Sequence, residues 1–205
     1  RISFKKFKIN ILNRIIPQIG GTFVIGLSSF LFKIIVLALL NKSEAGTIFI
    51  AFTLSGLLLT VFTYGLGPSI IQNKLNKKAL LTYFILITSL NVLLAITAFS
   101  IEYWNLIEVN FINNQTTFFY CLGFCLIGIP TSLLSQYYKL NIIYQKLLLR
   151  IYIYDAIPNI SLLLVTILLL MLIEPYFLGL IYLYTGTIGF FIYKYLLKKV
   201  DVKNY

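Results

Sequence analysis

Six stretches of mostly apolar residues, at about 20–40, 46–67, 79–100, 117–136, 151–173 and 176–197, constrain this chain more than anything else in it. Each is close to the 20 or so residues an α-helix needs to cross the hydrocarbon of a bilayer. A backbone in hydrocarbon must satisfy its own hydrogen bonds, which leaves helices or closed barrels. Barrel strands are about half this long and alternate apolar with polar, so helices are expected. The breaks between stretches are legible. Asn41-Lys42-Ser43-Glu44 forms a tight turn, and Gly67-Pro68 followed by Gln72-Asn73-Lys74 stops the second span. Residues 101–116 are the longest polar loop, 137–150 a basic connector, and Glu174-Pro175 joins the last two spans. The expected fold is an all-α integral membrane protein. A cytoplasmic basic amphipathic segment (1–19) precedes a six-helix transmembrane bundle (20–197) and a basic tail or linker (198–205).

Charge gives that bundle an orientation. The first eighteen residues, RISFKKFKINILNRIIPQ, carry cations and no acid, interleaved with Ile2, Phe4, Phe7, Ile9, Leu12, Ile15 and Ile16. Such a segment suits an anionic membrane surface. If it is cytoplasmic, so are Lys74, Lys77 and Lys78, then Lys139, Lys146 and Arg150, then Lys194, Lys198, Lys199 and Lys203. Together these make fifteen of the seventeen Lys and Arg residues. The other side holds Lys42 with Glu44, Glu102, Glu108 and Glu174. Cations accumulate on the cytoplasmic side of membrane proteins, so both termini are expected inside. This scatter over short loops also argues against nucleic acid as a partner, which would call for a basic patch on a folded domain.

Only 11% of the residues are charged and none is histidine. A Ser-His-Asp triad and a His-ligated zinc site are therefore excluded. Cys121 and Cys125 share a helical face inside an apolar run and are read as small apolar filler. Gly65-Leu66-Gly67-Pro68 is a helix end and not a phosphate-cradling loop. No cofactor, metal or enzymatic activity is expected.

Polar residues within the spans are the candidate site, because polar groups in hydrocarbon usually face a bundle interior or a watery cavity. In the first span Thr22, Gly26, Ser29 and Lys33 form one stripe at i, i+4, i+7 and i+11. Lys33 is either a lysine snorkelling to the outer interface or a cavity cation for an anionic ligand. The second span carries Thr53, Gly56, Thr60, Thr63 and Tyr64, and the third Thr88 and Asn91. In the fifth, Asp155, Asn159 and Thr166 align, with Pro158 available to loosen the helix. Asp155 is read either as an interfacial ion-pair partner of Arg150 or as a coupling carboxylate. Tyr182, Gly186 and Gly189 of the sixth span are read as a close-packing face.

The segment from Leu39 to Gln72, LLNKSEAGTIFIAFTLSGLLLTVFTYGLGPSIIQ, resembles the first helical hairpin of bacterial polysaccharide flippases. These form the O-antigen (Wzx-like) branch of the MATE-like flippase superfamily. Leu40, Glu44 and Gly46 match the pattern after the first helix; Gly65-Leu66 with Ser69-Ile70-Ile71 match the end of the second. Asn41 stands where the family usually has glycine, and Ala38 falls near a common arginine.

The resemblance implies a transporter that flips a polyprenyl-diphosphate-linked oligosaccharide across the bacterial cytoplasmic membrane by alternating access. Two six-helix bundles would enclose its cavity, and this chain is expected to be the N-terminal half. The alternative is a six-helix subunit that pairs with itself or another chain. Expected cargo contacts are Lys33, Ser29, Thr22, Thr60, Tyr64 and Asn91; expected coupling residues are Asp155 and Asn159. An ion-coupled exporter of the same superfamily and a non-transporting membrane scaffold are the rival readings.

Overall fold

The computed structural model describes residues 4–64, 77–104, 106, 114–144 and 148–201. All its regular elements are helical: α1 (Phe4–Leu39), α2 (Lys42–Tyr64), α3 (Lys77–Tyr103), α4 (Gln115–Tyr144), α5 (Leu148–Leu172) and α6 (Ile181–Asp201), with a 3-10 turn at Pro175–Leu180 leading into α6. Among the described residues, six helices are long and apolar enough to cross a membrane, at Ile19–Leu39, Lys42–Tyr64, Lys78–Tyr103, Gln115–Ile142, Tyr154–Leu172 and Pro175–Lys198. This agrees with the six spans expected from the sequence. The stop signal at Gly67-Pro68 and Gln72-Asn73-Lys74, the Gly65-Leu66 and Ser69-Ile70-Ile71 matches, and residues 202–205 of the tail lie outside the described residues.

Local chemistry sets the helix ends. The Ala45 N–H donates to the Asn41 carbonyl at 2.9 Å and the Leu40 N–H to Val36 at 3.0 Å, so α1 and α2 join in two residues. Asn114 caps α4: its side-chain oxygen accepts the Thr117 N–H at 3.1 Å, as N-cap residues do. Glu174 is extended, and Pro175 opens the 3-10 turn, where its missing N–H costs nothing.

Two regions run longer than the sequence reading. From Phe4 onward the basic N-terminal segment is continuous with the first span, in one helix of 36 residues. At about 1.5 Å per residue that is about 54 Å, well beyond a hydrocarbon core of about 30 Å. The described residues of the basic connector 137–150, at 137–144 and 148–150, are helical. The continuation of α4 has tertiary support there: Ile142 is buried with Tyr193 and Leu196 of α6, against Tyr138 and Tyr154. Apolar packing of this kind carries the span past its expected end at residue 136, to Ile142.

Helix α4 is the centre of the bundle, with more than half of its spanning window buried. It packs most extensively on α6, then on α3 and α2, while α1 packs on α5 and barely touches α2. The α4–α6 contact depends on glycine. A Cβ on Gly128 would meet backbone atoms of Leu183 and Tyr182, and one on Gly186 would sit 2.5 Å from the Ser132 nitrogen. The expected packing face of Tyr182, Gly186 and Gly189 is therefore present, and its partner is α4.

Most polar groups in the spans are satisfied locally. Thr47, Thr53, Ser55, Thr60, Thr97 and Thr166 each donate to the carbonyl four residues earlier, at 2.7–2.9 Å. Asn91 is the exception. Its amide nitrogen donates to Ile87 at 2.8 Å, but its buried carbonyl oxygen finds no partner among the described residues. Removing both halves of such a group is nearly neutral or stabilising. Asn91→Leu is expected to leave the melting temperature unchanged or higher; a clear fall would reveal a partner for that oxygen.

Candidate functional site

Among the described residues, one end of the bundle is filled by an apolar core and the other carries a polar cleft. Around the α1–α2 turn, Phe32, Val36, Ala45 and Ile48 pack with Phe118, Cys121, Cys125 and Leu178 into a continuous apolar core. The two cysteines are fully buried there, in the filler role expected of them. Helices α1 and α2 meet through Phe32 and Phe52, whose rings are 5.7 Å apart. Tyr182 closes the contact from behind, with its ring 5.8 Å from Phe52 and its hydroxyl donating to the Phe52 carbonyl at 3.1 Å.

Below that aromatic contact, toward the end where α1 begins, lies a polar cleft of about 260 Å³. Ile25 of α1 and Leu59 of α2 form its apolar rims; α4, α5 and α6 form its floor. From α4 come Ser132, Ser135, Gln136 and Lys139, and from α5 Asp155, Pro158 and Asn159. Its centre is an ion pair, Lys139 Nζ to Asp155 Oδ2 at 2.6 Å, with Asp155 buried and Lys139 about a quarter exposed. Around the pair, Asn159 Nδ2 donates to the Asp155 carbonyl at 2.7 Å and Ser132 Oγ to the Tyr182 carbonyl at 3.1 Å. Pro158 has no N–H, so α5 lacks one backbone hydrogen bond beside Asp155.

The structure brings only some of the sequence candidates together. Asp155 and Asn159 line the cleft as a pair. The expected partner of Asp155 was Arg150, whose side chain lies outside the described residues; the partner found is Lys139, one helix away. Thr22 and Ser29 lie one turn before and one turn after Ile25, on its side of α1. Both are exposed, as is Lys33, and none of the three lines the cleft; Lys33 adjoins Phe32 of the apolar end. Thr60 and Tyr64 are exposed on α2, the Thr60 hydroxyl being bonded to Gly56. Asn91 is buried on α3 and does not line the cleft.

Lys139, Gln136, Ser135 and Ser132 were missed. Ser132, Gln136 and Lys139 repeat at i, i+4 and i+7, the same stripe signal used for the first span. Ending the fourth span at residue 136 assigned Lys139 to a loop, as a topological charge. Among the described residues no group of His, Cys, Asp and Glu is placed to hold a metal ion. The chain matches no protein-family model, and no curated protein or solved structure matches it significantly.

Proposed function

We propose that this chain is one six-helix bundle of a flippase for a polyprenyl-diphosphate-linked oligosaccharide, in the bacterial cytoplasmic membrane with both termini inside. A second six-helix bundle, from the same polypeptide or a partner subunit, completes the cavity in this reading. The observation that carries it is the Lys139–Asp155 pair, set in a polar cleft within an otherwise apolar bundle. Both residues lie within about one turn of a span end, yet the Asp155 side chain is only 8% exposed; charges buried within spans mark functional paths. A scaffold would be better served by apolar packing at the same place.

The sequence resemblance supplies the cargo, and the cleft suits it. The cleft provides a cation, a hydroxyl and an amide for the diphosphate, and the exposed Thr22 and Ser29 hydroxyls on α1 meet the first sugar. Its mouth between α1 and α2 lets the lipid tail stay in the bilayer. The exposed Thr22–Lys33 and Thr60–Tyr64 stripes then face the second bundle across the cavity. Asp155 also favours a second reading, an ion-coupled exporter of the same superfamily, in which the carboxylate exchanges a proton or cation.

Reconstituting the native gene product in liposomes with a fluorescent polyprenyl-diphosphate oligosaccharide tests this. Saturable movement of label to the far leaflet, read by an impermeant quencher, is expected; movement no faster than in empty liposomes would overturn it. Lys33→Ala is expected to abolish movement while the protein stays folded, because Lys33 is exposed and its truncation disturbs no packing. Unchanged movement would remove Lys33 from the path. Preference for a soluble cation over the lipid-linked sugar would favour the exporter.

A further inference from the structure

We infer that Asp155 is an internal competitor for the anion site that Lys139 provides: a phosphate-type anion enters the cleft by displacing the Asp155 carboxylate. The inference rests on reading the cleft as a cargo site and adds how that site is kept closed.

Three donor groups of α4 line the cleft together. Ser135, Gln136 and Lys139 sit within one turn, and all three border the cleft. The side chains of Ser135 and Gln136 hydrogen-bond to no other described residue. Lys139 has three N–H donors, and Asp155 takes one of them at 2.6 Å. An ammonium, an amide N–H and a hydroxyl are the donors a phosphate group accepts from.

The acceptor side is different. Asp155 is the one carboxylate among the described residues of the cleft, and Lys139 the one cation; Tyr182 and Tyr193 are the other titratable groups lining it. While the pair is closed, the cleft carries no net charge for an anion to follow.

The geometry also orders the exchange. The Lys139 side chain keeps 27% of its surface exposed and Asp155 only 8%. The cation stands at the accessible side with the carboxylate behind it, so an anion can reach Lys139 before Asp155 has left. The volume limits what enters. About 260 Å³ is just below the 300–1,000 Å³ of sites for drug-sized ligands. A diphosphate headgroup fits, whereas an oligosaccharide stays at the mouth beside Thr22 and Ser29.

Affinity for the anion is then reduced by the fraction of time the pair is open. With that fraction between about 1% and 10%, removing the competitor tightens binding by about tenfold to a hundredfold. The test uses the native gene product in phosphatidylcholine nanodiscs, titrated with inorganic pyrophosphate. A second arm uses nanodiscs that also contain a polyprenyl diphosphate.

Asp155→Asn, and Asp155→Ser, which leaves room for water beside Lys139, are both expected to bind pyrophosphate about tenfold or more tighter than the native protein. Lys139→Met is expected to lose binding. Equal or weaker binding by both Asp155 variants would overturn the exchange. If the native protein captures the lipid diphosphate and the Asp155 variants do so no better, the exchange falls and the flippase reading stands. Tight pyrophosphate binding with no recognition of the lipid supports the exchange and overturns the flippase reading.

Discussion

Gly128→Ala and Gly186→Ala are each expected to destabilise the bundle by about 3 kcal/mol, the upper end for an added methyl in a packed interior. The reason is where that methyl would go. At Gly128 it meets the backbone of Leu183 and Tyr182; at Gly186 it meets the Ser132 nitrogen and the Thr131 hydroxyl, both at 2.5 Å. Backbone cannot swing aside as a side chain can, so α4 and α6 must separate. That separation also pulls Ser132 away from the Tyr182 carbonyl. Gly26→Ala and Gly46→Ala are the controls. Nothing lies within 4 Å of a Cβ at either position, and alanine in a helix is favoured over glycine by about 1 kcal/mol. Thermal unfolding in detergent should therefore separate the two pairs by more than their shared chemistry allows. If Gly128→Ala melts with Gly26→Ala, the close approach of α4 and α6 is wrong.

Those glycines also show how much was legible beforehand. The number of spans came through because hydropathy integrates over about twenty residues and needs no partner. The role of Gly186 and Gly189 came through as well, since small residues on one face of a spanning helix have few other uses. What failed was the assignment of single polar residues to inside or outside. Thr22, Ser29 and Lys33 form as regular a stripe as Ser132, Gln136 and Lys139, yet only the second points into this bundle. Periodicity places residues on a common face and does not say what the face meets. Asp155 was recognised from its own cost in hydrocarbon, but its partner comes from α4, sixteen residues earlier, and no local pattern connects them. Counting Lys139 as a loop charge hid it further, because a cation near a span end serves topology equally well.

Lys139→Met is expected to destabilise the protein by about 3–5 kcal/mol, because it leaves the Asp155 carboxylate buried without a partner. Asp155→Leu alone should cost less, since Lys139 is partly exposed and its ammonium can snorkel to water. The informative variant is the double one, Lys139→Met with Asp155→Leu. Well-packed apolar replacements of a buried ion pair are often neutral or stabilising, so the double variant should recover most of the loss. The two changes then fail to add, as expected for side chains 2.6 Å apart. Transport should behave in the opposite way. A folded double variant that moves no lipid-linked sugar separates the pair's function from its structural effect, because stability has returned and the charges have not. A double variant as unstable as the sum of its parts would make the pair a structural network. One that is stable and still transports would remove the cleft from the mechanism altogether. The physical expectation rests on the asymmetry of buried charge: a pair contributes little net stability, while half a pair costs a great deal.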